Sequence, residues 1–125
     1  MNDVTIHKFG GSCLRDSSDI ELIAKIIKSQ RCKTVIVVSA LWGATDRLLR
    51  AANEPRYATR LVSDLRKQHL RFSPKINESI FSEKFNNVLL GIEKSLFNLS
   101  KNPHNDVDVN TLLAAGERLS ALVVA

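Results

Sequence analysis

Val4-Thr5-Ile6-His7-Lys8-Phe9-Gly10-Gly11-Ser12 decides how the rest of the chain is read. Val4, Ile6 and Phe9 read as a short strand. The two glycines then open a turn in which the backbone bends sharply and can approach a ligand closely. Lys8 sets a cation beside the N–H groups of that turn. Successive N–H groups form an anion-binding nest and an ammonium acts as a point charge, so the pattern suits a polyphosphate. The plain alternative is a strand, a Gly-Gly turn and a surface lysine, because short motifs recur by chance.

Two further segments bear on that choice. Thr34-Val35-Ile36-Val37-Val38-Ser39 is an unbroken, largely β-branched run, the pattern of a strand buried on both faces of a parallel sheet. Between the two strands, Ser18 with Glu21 resembles a capping box, and Ile20, Ile23, Ala24 and Ile27 recur at helical spacing, which predicts an amphipathic helix over 19–29. Strand, helix and strand make a βαβ unit with parallel strands. Ligands of open α/β sheets bind beyond the carboxyl ends of the strands, and both 8–12 and 39–45 fall there. After the second strand, Gly43 leads into a helix with Thr45 as its expected N-cap.

Further along, Leu112-Leu113-Ala114-Ala115-Gly116-Glu117-Arg118-Leu119-Ser120-Ala121 is a helical pattern with a lone acid among mostly small and apolar residues. Its buried face is expected to carry Val109, Leu112, Leu113, Leu119, Leu122 and Val123, with Asp108 or Asn110 near the N-cap. KFGGSCL, VVSALWGATDRLL and LLAAGERLSA together resemble the three N-terminal signatures of aspartate kinases, in the amino-acid kinase superfamily. The opening IHKFGGSCL is most similar to the kinase portion of bifunctional aspartokinase–homoserine dehydrogenases. The motifs stand in the family's order and at about its spacing, and the resemblance spans essentially the whole chain. It covers only the first part of a full aspartate kinase.

The resemblance implies an α/β fold, the N-terminal portion of a three-layer αβα sandwich, with a helical insertion at about 54–105. It also implies an activity: phosphoryl transfer from ATP, with Mg2+, to the side-chain carboxylate of L-aspartate, in biosynthesis of lysine, threonine and methionine. By matching motif positions, Lys8 is the catalytic cation, and Lys8, Gly10, Gly11 and Ser12 hold phosphate. Ser39, Gly43, Thr45 and Glu117 bind aspartate, Glu117 through its α-ammonium. No metal ligand is assigned. Cys13 stands where the family usually has serine, and Trp42 is bulkier than the family's residue before this glycine and would narrow the substrate pocket. The nucleotide-binding half, the arginine for the substrate α-carboxylate and the regulatory domains would lie past residue 125. The alternative to an enzyme is a truncated, non-catalytic remnant acting as a binding or interaction protein, through self-association or a complementing kinase chain.

Composition bounds these readings. The chain has 125 residues, room for one domain. Hydrophobic residues make up 44%, enough for a core, and charged residues 25%. No apolar run approaches a membrane span, and no basic stretch precedes an apolar core at the N-terminus, so a cytoplasmic protein without a signal peptide is expected. Cys13 and Cys32 form neither a disulfide framework nor a zinc motif. The net charge of +5 concentrates at Arg56, Arg60, Arg66, Lys67, Arg71 and Lys75, read as a solvated helix face rather than a nucleic-acid site. Residues 54–105 should form two or three helices, broken at Pro74 and followed by an exposed turn over 101–106. His69 and His104 are expected at the surface and His7 in a structural role.

Overall fold

The computed structural model describes residues 3–125, so residues 1 and 2 of the expected domain lie outside it. β1 (Val4–Phe9) and β2 (Lys33–Val38) pair in parallel, with Val4 opposite Lys33 and Phe9 opposite Val38. Helix α1 (Ser17–Lys28) joins them. It starts two residues earlier than its capping-box pattern indicated, because Asp16 is the N-cap: its carboxylate accepts from the Ser18 N–H at 2.9 Å. Helices α2 (Ala44–Asn53), α3 (Ala58–Phe72), α4 (Ser82–Lys101) and α5 (Asp106–Val124) follow. The break at Pro74 and the turn before α5 fall where expected, and Asn105 caps α5 by accepting from the N–H groups of Val107 and Asp108.

The helices supply the core. Leu61, Leu65, Phe85, Leu89, Ile92, Leu112 and Leu119 interlock between α3, α4 and α5, and α2 adds Leu48 and Ala51. Full burial of each such side chain contributes about 1.5–3 kcal/mol. Of the expected inner face of α5, Leu112, Leu119 and Val123 are buried, and Val109, Leu113 and Leu122 are half-buried. The end of α5 is therefore packed.

The sheet has one covered face. Strand alternation puts Thr5, His7 and Phe9 with Thr34, Ile36 and Val38 on the helical side, where α1 and the end of α5 flank Ile36. Val4, Ile6 and Lys8 share the opposite face with Val35 and Val37, and all five are exposed. This corrects the expectation that β2 is buried on both faces. A continuous β-branched run reports strand propensity, whereas burial depends on what lies above each face. A small parallel sheet with five helices among the described residues is the expected α/β class: sheet and one helical layer.

Candidate functional site

The carboxyl ends of the two strands are tied together by backbone. Ser39 N–H donates to the Phe9 carbonyl at 3.0 Å, extending the ladder one residue past the strands. Trp42 N–H donates to the Leu14 carbonyl at 3.0 Å, so the loop after β2 is bonded to the loop after β1. Gly11 lies at this seam. A Cβ built there would sit 3.6 Å from the Ala40 carbonyl oxygen.

The turn after Phe9 is a short 3-10 segment, Gly11–Cys13. Its first hydrogen bond runs from Cys13 N–H to the Gly10 carbonyl at 2.9 Å, so the N–H groups of Gly11 and Ser12 precede it as donors without an internal partner. Neither glycine has a positive φ, which corrects the expectation of a glycine-dependent bend. A Cβ at Gly10 would meet nothing within 4 Å, so what this position offers is open space over the backbone. Left-handed geometry occurs instead at Gly43, whose φ of 78° makes it the N-cap of α2. Thr45 is then the second residue of the helix. It is exposed and does not cap, contrary to its expected role.

Helix α5 reaches the same end of the sheet. Gly116 packs so closely that a Cβ there would come 2.9 Å from Leu48 Cδ1 and 3.4 Å from the Ala40 Cβ. This is the close approach that requires glycine, and it holds α5 against Ala40 of the 39–45 loop. Glu117 is exposed rather than enclosed, and its carboxylate has no hydrogen-bond or ion-pair partner among the described residues. Lys8 is also exposed, on the open face of the sheet. The structure thus brings Gly10–Ser12, Ser39–Thr45 and the Gly116 turn of α5 to one end of the sheet, and leaves the side chains of Lys8 and Glu117 exposed.

The family profile of the amino acid kinase family matches residues 3–125. The chain belongs to the amino acid kinase family. E. coli aspartokinase III in complex with aspartate and ADP, in its R-state, superposes with a TM-score of 0.79 and 20% identity, over 98% of this chain and 28% of that one. The same aspartokinase with lysine and aspartate, in its T-state, gives 0.71 and 20% identity, over 99% of this chain and 28% of that one. These likenesses show the fold, and the chain spans under a third of the aspartokinase III chain. No curated protein matches the sequence.

Two features of this amino acid kinase chain went unread in its sequence. His69, expected at the surface, is wholly buried in α3. Its Nδ1 donates to the Leu65 carbonyl at 2.6 Å, its ring tilts against Phe85 at 6.2 Å, and burial holds its pKa below the ordinary value. The signal was present: Leu61, Leu65, His69 and Phe72 follow the buried stripe of α3. Trp42 is the second feature. It is half-exposed; its ring edge would lie 3.9 Å from a Cβ at Gly11, and the Arg15 guanidinium sits 5.0 Å from its ring centroid. Among the described residues no group of three or more His, Cys, Asp or Glu side chains converges. No helix of the described residues is long and apolar enough to cross a membrane.

Proposed function

We propose that this chain forms the phosphate- and aspartate-facing part of an aspartate kinase, which transfers a phosphoryl group from ATP to the side-chain carboxylate of L-aspartate. The observation that carries this reading is the backbone seam between the two strand ends. Ser39 N–H on the Phe9 carbonyl and Trp42 N–H on the Leu14 carbonyl hold the glycine turn against the Ser/Thr loop. The solved relative that binds aspartate and ADP supports it through a shared fold.

Phosphoryl transfer needs positioning and charge stabilisation more than covalent chemistry from the protein. In this proposal the free N–H groups of Gly11 and Ser12 and the Ser12 hydroxyl hold phosphate oxygens, and open space above Gly10 admits them. Lys8 neutralises charge that develops on the transferring group. Ser39, Gly43 and Thr45 line the aspartate side, and Glu117 accepts from the substrate ammonium. In this proposal the α-carboxylate partner, most nucleotide contacts and much of the metal site would come from sequence outside these residues.

The test is aspartate-dependent ADP formation by the protein as the cell makes it. Lys8→Met should lower turnover by about 10²–10³-fold, the usual cost of losing one preorganised charge-stabilising group. Glu117→Gln should mainly raise the aspartate KM. Residues 1–125 alone should give no turnover above background, because one substrate is left unpositioned. Undiminished turnover in Lys8→Met overturns the assignment.

A further inference from the structure

Beside Trp42 of the 39–45 loop lies a cavity of about 640 Å3, between the start of α1, α2 and α3. None of the residues assigned above to phosphate or aspartate lines it. Four cations do: Arg15 before α1, Arg47 on α2, and Lys67 and Arg71 one turn apart on α3. No carboxylate lies within 4.0 Å of any of them among the described residues. Asp16 and Asp64 also line the cavity, and Asp16 is already engaged as the cap of α1. The lining therefore carries a formal excess of two positive charges, which repel one another across a shared concavity. Trp42 forms part of the wall with its indole face half-exposed, and its carbonyl accepts from Gln68 Nε2 at 3.0 Å.

We infer that this cavity binds a small phosphate monoester. The volume is that of a metabolite site rather than of a macromolecular surface. Three guanidiniums and an ammonium are the groups that hold a phosphate dianion, the guanidiniums bidentately. A dianion cancels the excess charge, and the half-exposed Trp42 indole, with Arg15 over its ring, gives an apolar edge for the carbon body of the ester. The cavity shares no lining residue with the groups assigned to the transfer site, and the inference does not depend on the kinase proposal. Its occupant would nevertheless bear on the 39–45 loop, because Trp42 belongs to both. The ligand is thus placed to act as an effector of whatever that loop binds.

Trp42 is the single tryptophan of the chain, so its fluorescence reports on the site directly. The 125-residue chain is titrated at constant ionic strength with inorganic phosphate, glycerol 3-phosphate, succinate and chloride. Both phosphates should give a saturable change, tighter for the ester, while succinate binds at least tenfold more weakly and chloride gives none. Lys67→Ala and Arg71→Ala alter exposed side chains and should keep the far-UV circular dichroism of the parent. Each should weaken phosphate about tenfold or more, the usual scale for a hydrogen bond to a charged group. Ile6→Thr, on the open sheet face, should leave the titration unchanged. Three results overturn the proposal: no saturable response to phosphate through the millimolar range, equal response to succinate or chloride, or undiminished binding in both α3 variants.

Discussion

The helical side and the sheet of this chain are built from similar apolar residues and end in opposite environments. Leu65, Phe85 and Leu119 are wholly buried, whereas Val4, Ile6, Val35 and Val37 keep 46–68% of their surface. Each helix needs one neighbour along one stripe, and α3, α4 and α5 provide this for one another. A strand presents two faces, and only one meets helices here. The difference teaches that stability in this chain resides in the helical layer, while the strands serve chiefly to set the positions of their two terminal loops.

The largest way to break this contrast is Phe85→Ala. It should cost about 3–5 kcal/mol in chemical denaturation, because the ring fills space between α3 and α4 that cannot collapse. A loss below about 1 kcal/mol would mean that the helical layer is not the cohesive part. Gly116→Ala should follow, at about 1–3 kcal/mol. The Leu48 side chain it would strike is itself fully buried and cannot swing away. Because Gly116 also abuts Ala40, this change should disturb ligand binding at the 39–45 loop more than a core change of equal cost. Binding unaltered beside lost stability would separate α5 from the site.

His69 sharpens the comparison through pH. Its ordinary pKa is 6.5, and in the fold burial lowers it, with the Leu65 hydrogen bond opposing in part. The Nε2 position that would take the proton is buried without a partner. As pH falls below about 6.5, the unfolded chain therefore binds this proton before the folded one does, and stability declines. The melting temperature should drop between pH 7 and pH 5, and His69→Met should flatten that part of the profile. A profile equally steep in the variant would assign the acid sensitivity elsewhere.

The smallest effect belongs to the open sheet face. Ile6→Thr or Val35→Thr should change stability by about 0.5 kcal/mol or less. Exposed strand edges and an apolar face favour association, so sedimentation of the parent chain should show concentration-dependent self-association that these variants reduce. A core-sized loss of stability would mean that this face is covered in solution.

What could be read in advance follows the same division. The strands and α1 were legible because their periodicities are local, and the convergence of 8–12 with 39–45 follows from βαβ topology alone. Burial of β2 was misread because nothing in Thr34–Ser39 says whether a layer lies above it. Thr45 was misread as a cap because its position depends on the left-handed backbone of Gly43 two residues earlier. His69 was passed over because its neighbours Gln68 and Lys67 are polar, although its stripe is not. The four-cation cavity assembles from three separate elements, so no single stretch of sequence announces it.

The Trp42 backbone is held on both sides, its N–H by the Leu14 carbonyl and its carbonyl by the Gln68 amide. Both attachments on the tryptophan side are main-chain, so any amino acid with an N–H can make them. Homologous chains should therefore vary freely in what occupies position 42 yet conserve the spacing from Ser39 to Gly43. A single insertion there would shift every later residue out of step with two anchors at once. At position 42, the spacing is the inherited property and the side chain the negotiable one.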